Sequence, residues 1–188
     1  NKGHITFDDI VILGLDGAIR HAAPSRRPTG ESYIHLRILR KRPDIASVIH
    51  AHPPWLTAFA LANPRLLRKA WLPEPVIEVG PVALTEYAEP LTEELASRFD
   101  PFIERYNAFL MRNHGVVLLS AEGLGRCFEL LEMMEVTAQT VAVAHLLGRP
   151  RALPAKALKG LAQVMRTREI RLPGLPGKVK DLRELYPS

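Results

Sequence analysis

The stretch Val48-Ile49-His50-Ala51-His52-Pro53 places two histidines at alternate positions of an apolar run. Side chains of a β-strand alternate between its two faces, so His50 and His52 are expected to project to the same side of a strand. Pro53 ends that strand and puts the pair at the rim of a sheet, where a ligand can enter. Two imidazoles so placed form a clamp for a divalent ion, although two independently hydrogen-bonded histidines would show the same spacing.

A third histidine favours the metal interpretation. His114 interrupts an apolar stretch, between predicted strands at 108–111 and 116–119, and a histidine there is costly unless it has a partner. Gly115 allows a bulge that would aim the His114 ring into a site. Three histidines are a ligand set of catalytic zinc, which leaves one position open for water or substrate.

Glu31 opens a helix predicted over residues 31–42, just before the histidine strand. A helix that runs antiparallel to the following strand brings its N-terminus near the far end of that strand, and thus near the histidines. A glutamate at a helix start is usually only a favourable partner of the helix dipole. His35 lies one turn later on the same face, where we expect it to orient Glu31 or a metal ligand.

The surrounding pattern mixes strands and helices, which predicts a layered α/β or α+β domain. Strands are expected at 9–15, 46–52, 76–79, 82–84, 108–111 and 116–119, with a hairpin turn at Asp16-Gly17. Helices are expected at 31–42 with Thr29 as N-cap, from 55 onward, at 92–105, and after Ser120 as cap. The last helix carries an apolar stripe with helical spacing: Leu124, Cys127, Leu131, Met134, Ala138 and Val141.

Composition limits the class of protein. The 188 residues are 47% hydrophobic and 24% charged, which fits one globular domain over 1–188. No apolar run reaches the roughly 18–20 residues of a membrane span, so we expect no membrane partner. A polar start and a single cysteine predict a cytoplasmic protein without a signal peptide. The net charge of +5 is scattered without interleaved aromatics, which favours a small anionic ligand over nucleic acid.

Four segments together resemble the class II aldolase/adducin family, in particular its sugar-phosphate aldolases. They are 28–35 (Pro-Thr-Gly-Glu-Ser-Tyr-Ile-His), Arg42-Pro43-Asp44, 48–52 and Arg112-Asn113-His114-Gly115. The resemblance extends from the first predicted strand to the end of the long helix. It implies a three-layer α/β/α domain with a mostly antiparallel central sheet, assembled as a homotetramer. We expect the helix and tail at 150–188 to pack at a subunit interface.

The resemblance also implies an activity. Such enzymes cleave a ketose 1-phosphate, for example L-fuculose 1-phosphate, reversibly into dihydroxyacetone phosphate and an aldehyde such as L-lactaldehyde. By likeness, His50, His52 and His114 hold one Zn²⁺ per subunit, and Glu31 is both the acid/base and a further metal ligand. Mn²⁺, Co²⁺ or Fe²⁺ would also suit three imidazoles.

The family's phosphate loop corresponds to Thr29 and Gly30, where two serines are usual, so these residues are expected to bind substrate. The expected tyrosine proton donor is replaced by Ile77; Tyr87 lies further on, and Tyr186 could reach from a neighbouring subunit. Alternative functions on the same scaffold are a methylthioribulose-phosphate dehydratase, a ribulose-phosphate epimerase and a decarboxylase. A non-catalytic adducin-like interaction module is the alternative from a different class.

Overall fold

The computed structural model describes residues 5–186, whose centre is a four-stranded sheet. Its strands, in spatial order, are β3 (Ser47–Ala51), β6 (Gly115–Ser120), β5 (Ala108–Met111) and β4 (Val82–Thr85). The pairs β3–β6 and β6–β5 are antiparallel, whereas β5–β4 is parallel. The prediction of a mostly antiparallel central sheet is therefore confirmed.

Helices cover both faces of this sheet. One face carries α1 (Ser32–Lys41) and α4 (Glu93–Ser97), and the other carries α2 (Pro54–Ala62) and α5 (Leu124–Leu147). Every residue of β5 and β6 is buried, and alternate residues of these strands enter the two different cores. This period-two division confirms the predicted α/β/α layers, because a strand covered on both faces is apolar throughout.

Two predicted elements have different structures. Residues 76–79 were expected to be a strand, but 76–78 belong to helix α3 (Pro73–Glu78) and Val79 is its C-cap, with Pro73 and Pro75 in the first turn. Proline suits a helix start and cannot donate to a sheet, which explains the difference. The helix expected over 92–105 ends early, because Asp100 precedes Pro101 and turns follow α4.

The predicted caps were also displaced. Glu31, not Thr29, occupies the N-cap of α1, and Gly123, not Ser120, precedes α5. The stripe of α5 is buried from Cys127 to Val141, but Leu124 is 64% exposed. By length and composition α5 is the one helix in residues 5–186 that could cross a membrane, a property shared by core helices of soluble proteins. The expected absence of a membrane partner stays a prediction.

The strand expected at 9–15 is much shorter and is not buried. Strand β1 (Ile12–Leu13) pairs with β2 (Ile19–His21) through the predicted turn at Asp16-Gly17. Ile12 and Ile19 are about half exposed, because neither helical layer of the described chain covers this hairpin.

The C-terminal part forms a third apolar cluster on its own subunit. Helix α6 (Ala155–Thr167) and the following tail pack with Val76 of α3 and with Ala70. The short helix after Pro150 is thus confirmed. The expected packing of residues 150–188 on a neighbouring subunit stays a prediction.

A buried arginine links the end of α1 to the start of β3. Arg42 is fully buried and forms a bidentate ion pair with Asp44, with N···O distances of 2.8 and 2.9 Å. Its remaining donors reach the carbonyl oxygens of Ile103 and Tyr106 and the Oδ1 atom of Asn107. Since a buried guanidinium needs all these partners, Arg42 fixes the α1–β3 connection against the segment that enters β5.

We expect Arg42→Met to lower the free energy of unfolding by about 3–5 kcal/mol, because the carbonyl groups of Ile103 and Tyr106 lose their donor and Asp44 keeps only its contact with Arg171. Urea denaturation measures the loss. Arg98→Met is the control, since the pair of Arg98 with Glu94 is exposed and its removal should cost less than about 1 kcal/mol. Equal losses in the two variants would contradict the structural role of Arg42.

Candidate metal centre

His50 and His52 lie together at the end of β3. Their Nε2 atoms are 3.2 Å apart, and their ring centroids are separated by 4.8 Å. His50 lies within the strand, opposite Val117 of β6, while His52 follows its last residue. The predicted same-side placement is confirmed.

A backbone hydrogen bond selects the tautomer of His50. Its Nδ1 lies 3.0 Å from the carbonyl oxygen of Val116, and a carbonyl only accepts, so Nδ1 carries the proton. The lone pair of Nε2 is therefore directed toward His52, as in a histidine prepared to bind a metal ion. Burial lowers the pKa of His50 to about 4, which keeps the ring neutral near pH 7.

His114 enters from the turn between β5 and β6. Its ring centroid lies 5.0 Å from those of both His50 and His52. The turn is held on two sides, since Arg112 N–H donates to Thr85 of β4 and Asn113 N–H donates to Ala60 of α2. Asn113 has a positive φ of 56°, a conformation that asparagine tolerates better than most residues.

Gly115 makes room for His52 instead of forming the expected bulge. The strands pair regularly, with Met111 opposite Gly115, so the prediction of a bulge was wrong. A Cβ at position 115 would lie 2.3 Å from Cδ2 of His52 and 2.6 Å from the carbonyl oxygen of Ala51. The glycine is therefore required by the close approach of the His52 ring and of the Ala51 backbone.

Glu31 reaches the same place from the start of α1. Its Oε1 is 3.8 Å from Nε2 of His114, and both side chains are mostly buried, at 12% and 14% exposure. Burial lowers the pKa of His114, while the carboxylate of Glu31 opposes that shift. His35, one turn further, has a pKa that is also lowered by burial and opposed by Glu31. The helix thus places its N-terminus at the histidines, as the sequence predicted.

The cluster suits a metal ion of zinc size. Ligand nitrogens of His50, His52 and His114 all lie within 4.8 Å of one another. At Zn–N distances of 2.0–2.1 Å, two ligands of a tetrahedral ion are about 3.3 Å apart, close to the spacing of the two Nε2 atoms of His50 and His52. The Nδ1 of His114 is buried without a hydrogen-bond partner in residues 5–186. A buried nitrogen without a partner, beside two other imidazoles, is what a site for an ion would show.

The residues expected to bind phosphate lie in the loop before α1. Thr29 accepts a hydrogen bond from Ser32 N–H through its carbonyl oxygen, and its hydroxyl lies 3.4 Å from Glu31 N. Gly30 is covered by Leu91, whose Cδ2 would be 2.4 Å from an added Cβ. Leu91 itself has a positive φ of 66° and an exposed side chain. An apolar side chain therefore lies where the resemblance leads one to expect a serine hydroxyl.

None of the tyrosines considered joins the cluster in the described chain. Ile77 lies in α3, and Tyr186 is buried against the C-terminal cluster of its own subunit. Tyr87 is half exposed, in the segment that follows β4.

Sequence reasoning missed two groups that hold the site. The carbonyl of Val116 leaves no trace in residue type, because any residue supplies it. Glu135 of α5 binds the start of α2, directly after His52. The pair Pro53-Pro54 was a signal that this helix start lacks a local cap, but nothing in the sequence indicated which distant residue supplies one.

Three histidines and a carboxylate at the rim of a mixed sheet form a cluster whose donors could hold a metal ion. The family model of the class II aldolase and adducin N-terminal domain matches residues 1–142. The chain belongs to this family.

The relatives differ in the reactions for which they are named. The 5-deoxy-D-ribulose 1-phosphate aldolase of Bacillus thuringiensis serovar kurstaki is 32% identical over 158 residues, covering 83% of this chain and 71% of that protein. A 3-oxo-tetronate 4-phosphate decarboxylase of Pectobacterium atrosepticum is 29% identical over 120 residues, covering 62% and 55%. The solved structure of an L-fuculose 1-phosphate aldolase superposes with a TM-score of 0.75 at 29% identity, covering 86% of this chain and 74% of that one.

Gly115→Ala should weaken the binding of Zn²⁺ by about 10–100-fold, because the added methyl group displaces the His52 ring or the end of β3. Competition with a chromophoric chelator measures the affinity. Gly125→Ala is a matched control, since a Cβ there meets nothing within 4 Å. Wild-type affinity in the G115A variant would contradict the requirement for glycine beside His52.

Proposed function

We propose that this chain is a metal-dependent aldolase that cleaves a ketose 1-phosphate into dihydroxyacetone phosphate and an aldehyde. The observation that carries the proposal is the convergence of His50, His52 and His114, with the carboxylate of Glu31 3.8 Å from His114. A binding module would need none of these four side chains. Similarity to relatives named as aldolases of 1-phosphorylated ketoses supports the substrate class.

The three histidines would hold the ion, and Zn²⁺ fits their nitrogen donors, although Mn²⁺, Co²⁺ or Fe²⁺ would also suit them. When bound, the ion supplies Lewis-acid polarisation of the substrate carbonyl. His50 contributes a fixed tautomer. Burial lowers the pKa of His50 and of His114, so neither ring has to lose a proton before its nitrogen lone pair can bind the ion. His35 would orient Glu31.

Glu31 is proposed as the acid/base and as a further metal ligand in the absence of substrate. Cleavage breaks a carbon–carbon bond and leaves its electron pair on the carbon next to the carbonyl, which must then gain a proton. The aldehyde fragment forms as its hydroxyl loses one. A carboxylate beside the histidines can carry a proton at that carbon within hydrogen-bond reach.

The phosphate group is assigned to the loop at Thr29 and Gly30, ahead of α1. Backbone N–H groups at a helix N-terminus favour an anion. Gly30 has no side chain that would block access to its own N–H group. Leu91 over Gly30 would make this end of the site more apolar.

A decarboxylase is the second candidate, because a relative is named 3-oxo-tetronate 4-phosphate decarboxylase. Decarboxylation also leaves an electron pair on a carbon beside a carbonyl, so the same four side chains could serve it. The aldolase stands first because the aldolase relative is 32% identical over 83% of this chain, whereas decarboxylase relatives are 29% identical over 62% and 25% identical over 73%.

We also propose a homotetramer in the cytoplasm, without nucleic-acid or membrane partners. Support for assembly comes from the end of α5, where Leu146 and Leu147 are 86% and 84% exposed. Apolar side chains this exposed favour burial against another copy. The single cysteine is buried and free, which suits a reducing compartment.

The test is an assay of the Zn²⁺-loaded protein against a panel of ketose 1-phosphates, including L-fuculose 1-phosphate and 5-deoxy-D-ribulose 1-phosphate. Release of dihydroxyacetone phosphate is measured in a coupled assay, in which an added dehydrogenase reduces it and the oxidation of NADH is recorded. We expect release from at least one of them. Release of CO₂ from 3-oxo-tetronate 4-phosphate with no aldol cleavage would favour the second candidate, and no turnover at all would overturn both.

Glu31→Gln should lower turnover by about 10²–10⁴-fold while most of the metal is retained, because the amide cannot carry the proton. Glu74→Gln is the control, since Glu74 lies in the first turn of a helix, close to its N-terminus as Glu31 is, but is exposed and distant in sequence from the site. Metal content is measured by elemental analysis alongside activity. Full activity in E31Q would exclude Glu31 as the acid/base.

A further inference from the structure

Helix α2 begins directly after the histidine pair, and its first residues are poorly equipped to start a helix. Pro53 is the N-cap and Pro54 the first helical residue, and neither has an N–H group. The next two residues, Trp55 and Leu56, have N–H groups that no carbonyl within the helix can accept. A proline side chain offers no acceptor, so the cap has to come from elsewhere in the fold.

Glu135, from the middle of α5, supplies this cap. Its Oε1 accepts a hydrogen bond from Trp55 N–H at 2.8 Å, and its Oε2 accepts one from Leu56 N–H at 2.9 Å. Both carboxylate oxygens are thus used, and both free donors of the helix start are satisfied. A negative charge at this end of α2 also interacts favourably with the helix dipole.

The cap fixes the backbone on one side of His52, and the sheet fixes it on the other. Ala51 is paired with Val116 in the β3–β6 ladder, and α2 starts only two residues after His52. Pro53 further restricts His52 to extended backbone conformations. The His52 side chain is itself exposed, so its position depends mainly on these two backbone anchors.

We propose that Glu135 is a positioning residue for the metal ligand His52, acting through the N-terminus of α2. This inference rests on the proposed function, since it requires that the three histidines hold a metal ion. Glu135 does not belong to the cluster. Its carboxylate is occupied by two backbone N–H groups, so it holds the geometry of the ligand instead of binding the ion.

The test compares Glu135→Gln with Glu132→Gln, a matched substitution one turn earlier at an exposed position of α5. The glutamine amide retains one acceptor and the shape of the side chain, but its NH₂ group cannot accept the second N–H. Co²⁺ is the probe, because its visible absorption reports the number and arrangement of ligands. Affinity is measured by chelator competition, and the spectrum is recorded at saturating Co²⁺.

We expect E135Q to bind Co²⁺ about 10–100-fold more weakly than wild type and with an altered visible spectrum, and E132Q to match wild type in both. A third variant, Val141→Ala, destabilises the same helix through a buried side chain that lies six residues after Glu135 and makes no hydrogen bond to the start of α2. It should lower the melting temperature while it leaves the Co²⁺ spectrum unchanged.

Two results would overturn the inference while the metal centre stands. One is wild-type Co²⁺ affinity and spectrum in E135Q, and the other is an equal change in V141A, which would trace the effect to general destabilisation. Failure of the wild-type protein itself to bind Co²⁺ would instead remove the metal centre, and the inference with it.

Discussion

The central sheet is covered by helices on both faces, and this burial decides where polar side chains can stand. All ten residues of β5 and β6 are buried, so the middle of the sheet has no place for an ionisable group without a partner. Polar chemistry is confined to the strand ends. His52 follows the end of β3, His114 lies in the β5–β6 turn, and Glu31 stands where α1 begins over the same rim.

The three histidines are positioned without a ligand, largely through contacts with backbone groups. The carbonyl of Val116 selects the His50 tautomer, the missing side chain of Gly115 admits the His52 ring, and two anchored N–H groups hold the His114 turn. Burial then keeps His50 and His114 neutral. Such preorganisation lowers the free-energy cost of binding a ligand, because the orientation and protonation of the rings are already set.

The relative positions of the site residues could be predicted from the sequence more accurately than the secondary-structure elements around them. Period-two spacing was enough to place His50 and His52 on one side, and helix direction was enough to bring Glu31 to them. The prediction from the local pattern was wrong at residues 76–79, where β-branched residues suggested a strand but two prolines favoured a helix start. It also failed at Gly115, because the space that a glycine provides is defined by a ring from another strand. The cap by Glu135 joins residues 79 and 80 positions apart, a separation over which local pattern carries no information.

The strand order has a consequence for the newly made chain. Strand β3 pairs with β6, and His50 is separated by 66 residues from the carbonyl that orients it. At synthesis rates of 5–20 residues per second, roughly 3–13 s pass between the emergence of the two partners from the ribosome. During that interval His50 and His52 are a solvent-exposed His-x-His motif on a nascent chain, without tautomer selection and without their third histidine. Under the proposed function, an ion captured then would meet only two of its three histidines, and the set is completed when the β5–β6 turn with His114 forms and β6 pairs with β3.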